Sequence, residues 1–438
     1  MAAKSLESID CSIQPLDFSF HPTIDIVAAG LVDGTVEVHD FSKLITKPVL
    51  QTAKASQQDQ PIIKNIKDDD DELDDDEDDT ILSSIPLHCT ETPKNRRIHT
   101  PSKSKSSSST GPTSSCTSTL FDTSQTHNGS KLYTAGNSGS LCCIDTQRAS
   151  DYTTSDDCIL WKIDDASPHG ISTLYQLNDR ASTGPLVVTG DEEGVIRLWD
   201  SSRLCTNAAS KQGCVATFKE HSDYISGFEM DDNGTTLLAT SADGTLSIFD
   251  IRMSGGTGTK ATTGSTSSSH NNQHHFKKKA PLIKFTRKSD DQDDELLSIC
   301  KMKNGKKVIC GTQDGTLAIW SWGTWGDISD RFPGHPQSID AMLKVDESTI
   351  LTGSGDGLVR ALQIHPNQLL GVLGDHGGFP VEKLLFSAGR KVVGSLSHDT
   401  KIRLWDASIL HEGADDDDME GGMDMEEDAK ASNAAAAS

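Results

Sequence analysis

The side chains of this sequence that could do chemistry are few, and each group has a plainer use. GSGDG at Gly353–Gly357 has the look of a nucleophile elbow, but its spacing is wrong and it falls in a hairpin turn between two β-type runs. His270, His274 and His275 could share a metal ion, yet they stand in a Ser/Asn-rich stretch whose composition favours a solvated loop. His169, His221, His335 and His376 recur at matching places ahead of similar sequence, which makes them structural partners and not ligands. No catalytic constellation and no cofactor motif is left, so the expectation is a non-enzymatic protein without a cofactor. The ten cysteines contain no C-x-x-C pair. Several, such as Cys142 and Cys310, lie in β-type runs where a free thiol behaves as a small apolar group. Reduced thiols in the cytosol or nucleus are expected.

The elements that would position these residues come from a repeated phrase: a β-rich run, a tight turn, and a second β-rich run ending near Trp-Asp. It occurs at Val27–Asp40, Tyr133–Asp145, Val187–Asp200, Leu238–Asp250, Val308–Trp320, Leu351–Ile364 and Val393–Asp406. The turns hold Asp33-Gly34, Asp243-Gly244, Asp314-Gly315 and Asp356-Gly357, where glycine supplies the positive φ of a two-residue hairpin. Each phrase follows another short β pattern, such as Asp223–Met230 or Ser338–Val345. With one outer strand added, the unit has four strands, the blade of a β-propeller. Units of this kind cannot bury a core alone and must stack. The expected fold is therefore all-β, a seven-bladed propeller over residues 1–410. Little β sequence follows Trp405-Asp406, so residues Leu6–Ile13 are expected to supply the missing outer strand of blade seven.

Unequal spacing of the turns places the extra sequence in two insertions, about 55–118 and 254–279, and a tail at 411–438. The formal net charge is −25, but Asp68–Asp79 holds eleven acidic residues and His411–Lys430 holds ten against one lysine. Without those two blocks the charge is about −5, so the ring itself is near neutral. Like-charge blocks repel themselves and read as disordered interaction segments. No apolar h-region follows the first basic residue, and no run of about 18 apolar residues occurs, so neither a secretory signal nor a membrane span is expected.

These residues resemble the WD-repeat family. In that family a blade is held by a His at its start, a Ser or Thr, the turn Asp and the strand Trp. The resemblance implies this set in full for blade seven, as His376, Ser395, Asp399 and Trp405. Blade three has His169, Thr189 and Trp199, with Glu193 in the Asp place. Blade six has His335, Thr352 and Asp356, with Leu362 for Trp, and blade four has His221 and Asp243, with Ala239 and Phe249. Asp33, Asp314 and Trp320 fill single places of the set in blades one and five. The stretches Ser321–Phe332, Gln337–Met342 and Leu351–His376 are similar, in order, to the WD repeat-containing protein 55 family. That similarity implies a nuclear, largely nucleolar protein needed for ribosomal RNA maturation, working as a monomeric scaffold for pre-ribosomal or assembly proteins.

Other features bear on partners. Lys94, Arg96, Arg97, Lys103 and Lys105 form one basic cluster, and Lys277, Lys278 and Lys279, followed by Lys284, Arg287 and Lys288, form another. Both fit nuclear import or nucleic-acid contact, though the acidic run would compete with RNA for the same cations. Thr100-Pro101 resembles a proline-directed phosphorylation site, and two added negative charges beside Arg96 and Arg97 would weaken import. Trp322 and Trp325 stand in a Gly-rich connection, either as exposed binding aromatics or as packing against the next blade. The alternative function is substrate receptor of a cullin-type ubiquitin ligase. Propellers of that class carry a Trp-Asp-x-Arg box, which Phe249-Asp250-Ile251-Arg252 approximates. In blade three the arginine, Arg203, comes one place late.

Overall fold

The computed structural model describes residues 5–42, 44, 85–87, 115–124, 127–146, 158–177, 186–204, 213–251 and 283–410. Their strands form seven four-stranded antiparallel sheets. After β1 (Ser5–Asp10), blade one is β2 (Pro15–Phe20), β3 (Ile26–Leu31), β4 (Val36–Asp40) and β5 (Ile85–Leu87). Blade two is β6 (Cys116–Phe121), β7 (Lys131–Gly136), β8 (Leu141–Asp145) and β9 (Ile159–Ile163). Blade three is β10 (Ile171–Leu177), β11 (Leu186–Asp191), β12 (Val195–Asp200) and β13 (Cys214–Lys219). Blade four is β14 (Ile225–Met230), β15 (Thr236–Ser241), β16 (Leu246–Asp250) and β17 (Lys284–Lys288). Blade five is β18 (Leu296–Met302), β19 (Lys307–Thr312), β20 (Thr316–Ser321) and β21 (Asp330–Pro333). Blade six is β22 (Ile339–Lys344), β23 (Thr349–Ser354), β24 (Leu358–Gln363) and β25 (Gln368–Asp375). Blade seven holds only β26 (Val381–Phe386), β27 (Val392–Ser397) and β28 (Lys401–Asp406) from its own stretch of chain.

Its fourth strand is β1, which pairs antiparallel with β28, Ser8 opposite Arg403 and Asp10 opposite Lys401. First and last strands thus share one sheet, and the ring closes without an unpaired edge on β28. Each seam between neighbouring blades holds one apolar cluster, because the middle strands carry apolar residues on both faces. The closing seam is typical: Ile9 and Cys11 pack with Phe18, Phe20 and Phe41 of blade one and with Leu396 and Leu404 of blade seven.

Two segments differ from the sequence reading. The insertion at about 55–118 is not wholly outside the ring: β5 completes blade one by pairing with β4, and β6 begins at Cys116. A blade without an outer strand would leave β4 unpaired, and IPL at 85–87 is a short apolar run able to fill the gap. Lys284, Arg287 and Lys288 are not a free basic run either, since they lie in β17, and Lys288 Nζ sits 2.9 Å from Asp243 Oδ2. No helix among the described residues is long and apolar enough to cross a membrane.

Candidate protein-binding face and central channel

The innermost strand of every blade carries a bulge at the same place. The register jumps at Leu16, Thr117, Ser172, Ser226, Leu297, Asp340 and Glu382, so one extra residue stands opposite the partner strand. All seven line the central channel, a cavity of about 540 Å³. Where the bulge residue is Thr or Ser, its hydroxyl reaches the next blade. Thr117 Oγ1 donates to Ile171 O at 2.5 Å, Ser172 Oγ to Ile225 O at 2.7 Å and Ser226 Oγ to Leu296 O at 2.6 Å. Buried Asp17 joins blade one to both neighbours, accepting from Thr119 N at 2.6 Å and from Lys383 Nζ.

Blades six and seven break the hydroxyl pattern with carboxylates. Asp340 is pushed up to about 6 by burial and by the neighbouring charge of Glu382. Glu382 pairs with His398 at 2.9 Å, both partly exposed. Burial first, then the charges of Glu295, Asp223, Asp340 and Glu382, raise the phenol of Tyr224, which lines the same cavity, to about 12. One side of the channel mouth is therefore an acid-lined hollow with a tyrosine in it.

A hydrogen-bonded relay fixes the blades behind this mouth. In blade seven His376 Nε2 lies 2.6 Å from Ser395 Oγ, which accepts from Trp405 Nε1 at 2.7 Å. In blade six His335 Nε2 lies 2.9 Å from Thr352 Oγ1. The turn aspartates do not complete these chains. Arg360 takes Asp356 in two bonds of 2.9 and 2.5 Å, and Arg403 takes Asp399 at 3.2 Å. Nδ1 of His335 and of His376 has no partner among the described residues. Blade four has Ser247 in the arginine place, and there His221 does reach its aspartate: Nδ1 to Asp243 at 3.1 Å and Nε2 to Ser247 Oγ at 2.7 Å. Burial would raise the Asp243 carboxyl, but bonds from His221, Thr245 and Lys288 together hold it well below the usual carboxylate range.

Blade three corrects the expectation for His169. Its lead-in residue is Ser167, whose N–H bonds Gly139 O at 3.0 Å, as His376 N bonds Gly357 O at 2.8 Å in blade seven. Ser167 Oγ donates to Asp191 Oδ2 at 2.7 Å, and Arg197 Nη1 donates to the same oxygen at 2.6 Å. Trp199 Nε1 still donates to Thr189 Oγ1 at 3.1 Å. His169 is half-exposed, 3.9 Å from Glu193, and outside the relay. Sequence reading missed Ser167, Asp191 and Arg197 because only pairing with the preceding turn shows which residue leads into a blade. Asp33 caps its own hairpin, its Oδ1 accepting from Thr35 N at 2.9 Å, and Asp314 N donates to Asp294 Oδ2 at 3.2 Å. Trp320 is fully buried and donates to Gly326 O at 3.3 Å.

The aromatic candidates meet between blades four and five. Trp322 and Trp325 stack edge to face with centroids 5.0 Å apart, in the cluster that holds Trp320. Trp325 is only 6% exposed and Phe249 1%, so neither is the open aromatic that a docking partner would need. Packing holds them, because each fills the seam beneath a neighbouring blade. With Asp250 and Thr286 they line a cavity of about 320 Å³. Asp200 pairs with Arg203 at 2.9 Å. Arg252, Thr100, the basic groups of the two insertions (Lys94, Arg96, Arg97, Lys103, Lys105; Lys277, Lys278, Lys279), His270, His274, His275 and the acidic runs lie outside the described residues.

A closed ring of seven four-stranded blades, with turn aspartates and a His–Ser–Trp relay in blade seven, is a WD-repeat β-propeller, a class that generally mediates protein–protein contacts and is generally non-enzymatic. The WDR55 family model matches residues 98–410. The chain belongs to the WDR55 family. It is 36% identical over 302 residues to WD repeat-containing protein JIP5 of Coprinopsis cinerea, covering 67% of this chain and 62% of that one. To WD repeat-containing protein 55 of Arabidopsis thaliana it is 33% identical, over 58% of this chain and 60% of the relative. To the rat protein of that name it is 30% identical, over 69% and 65%. The chain thus spans a little over three fifths of the length of these relatives.

Proposed function

We propose that this protein is a nuclear, largely nucleolar binding platform that supports ribosomal RNA processing and ribosome production by holding basic pre-ribosomal or assembly proteins. One observation carries the reading: the channel wall where Asp340 and Glu382 stand beside Tyr224, with the charges of Asp223 and Glu295 also acting on that tyrosine. Carboxylates held in a partly desolvated hollow attract Lys- and Arg-rich segments more strongly than carboxylates on open surface. Membership of the WDR55 family supports the same direction. The ligase-receptor reading has less to rest on, since Phe249 stands where the Trp-Asp-x-Arg box has Trp and Arg252 lies outside the described residues.

The test is affinity purification of the tagged full chain from nuclear extract, washed at low and at high salt. Pre-ribosomal proteins retained at low salt and shed at high salt are the expected result. Recovery of a cullin adaptor in their place would overturn the reading.

A further inference from the structure

Blade one departs from the other blades at the places where the relay is built. Its lead-in residue is Cys11, whose N–H bonds Thr400 O at 2.8 Å, as His335 and His376 bond Gly315 and Gly357 at 3.2 and 2.8 Å. On β4, Glu37 stands opposite Ala29, in the place that Arg360 and Arg403 take opposite Thr352 and Ser395. His39 stands opposite Val27, in the place of Trp199 and Trp405. With Ala29 there is no hydroxyl to relay a bond, so the blade-seven arrangement cannot form here. The three replacements are instead a thiol, a carboxylate and an imidazole.

They converge. One ligand atom from each of Cys11, Glu37 and His39 lies within 4.8 Å of the other two. His39 Nε2 is 3.2 Å from Glu37 Oε2, which also accepts from Ser12 N at 3.2 Å. Glu37 and His39, two apart on one strand, share a face, while Val36 and Val38 pack toward blade two. Cys11 and Glu37 are buried at 7% and 6% exposure, in a seam that is otherwise apolar. An ion pair accounts for Glu37 and His39, and the Cys11 thiol beside them packs in the apolar cluster of the closing seam.

We propose that Cys11, Glu37 and His39 form a site for a divalent transition metal, Zn²⁺ by its mixed sulfur, nitrogen and oxygen donors, with a fourth position open to water. Zinc bonds to such ligands run about 2.0–2.3 Å, so a tetrahedron has edges of roughly 3.3–3.8 Å. The three donors need close by at most about 1.5 Å to reach that geometry. Binding would release the thiol proton to solvent as the sulfur–metal bond forms. Its place gives it a purpose: Cys11 follows the closing strand β1 and is anchored to the turn of blade seven, whereas Glu37 and His39 belong to blade one. A bound ion would pin the seam at which the two ends of the ring meet.

The experiment titrates metal-stripped, full-length protein with Co²⁺ as a spectroscopic probe, then adds Zn²⁺. A thiolate-to-cobalt charge-transfer band is expected, lost on Zn²⁺ addition and absent in Cys11→Ser. His39→Trp, which places here the residue that blades three and seven carry, weakens cobalt binding at least ~10-fold, with its circular dichroism compared with that of the native chain to check that it folds. The band persists when His270, His274 and His275 are all changed to Ala. Zn²⁺ raises the melting temperature of the native chain but not of His39→Trp. No band at saturating Co²⁺, a band that survives Cys11→Ser, or equal Zn²⁺ shifts in native and His39→Trp protein would each overturn the proposal.

Discussion

Ser395 is the hinge of the blade-seven relay, since one hydroxyl serves both His376 and Trp405. Ser395→Ala would leave two buried nitrogens unpaired at a cost of about 1–3 kcal/mol, read as a lower denaturant midpoint at unchanged slope. The same histidine gives the fold an acid-sensitive limb. Burial, then the nearby Arg403, lowers His376 to about 4, and burial, then Arg360, lowers His335 to about 4. A folded-state value below the unfolded value near 6.5 means the unfolded chain takes up protons first. Stability therefore falls as pH drops from about 6.5 toward 4, by up to roughly 1.4 kcal/mol per pH unit for each histidine. Asp340, raised to about 6, works the opposite way, because its protonation relieves a buried charge. The difference between native protein and His376→Gln isolates the histidine: the native chain should lose more stability between pH 6.5 and 4.5 in urea melts. Parallel pH profiles would refute that assignment.

At the scale of the element, β1 is the clasp. Deleting residues 1–10 removes the outer strand of blade seven and exposes the apolar cluster around Ile9, so the melting temperature should fall sharply. Ile9→Ala alone should cost about 2–4 kcal/mol. Both the clasp and the blades could be read from sequence, because Asp-Gly turns and alternating apolar residues are local signals and the shortage of strands after Trp405 implied a donor elsewhere. The relay could be read only in part. The ladder partners Arg360 and Arg403 capture the turn aspartates, and sequence spacing does not show that competition. Blade three misled by two residues, since His169 is the conspicuous residue while Ser167 is the one bonded to the preceding turn. The channel bulges gave no sequence signal, because any residue type can stand at a bulge, and here Leu, Thr, Ser, Asp and Glu all do.

For the whole molecule, the ring sorts its charge. Most turn and ladder charges neutralise one another, as in Asp356–Arg360, Asp399–Arg403 and Asp243–Lys288. The carboxylates at the channel mouth are less fully matched, which makes that mouth the natural place for a basic partner. Changing Asp340 and Glu382 to Asn and Gln removes the two of these carboxylates that line the channel without enlarging a side chain, and the change at Asp340 relieves a buried carboxylate, so the ring should remain folded. The most direct measurement compares this double variant with the native full chain in parallel low-salt purifications from nuclear extract, with recovered proteins quantified by mass spectrometry. Recovery of basic pre-ribosomal proteins should fall by about tenfold, the effect of losing roughly 1.4 kcal/mol of binding. Equal recovery by both proteins would contradict the claim that the acidic channel mouth is where partners dock.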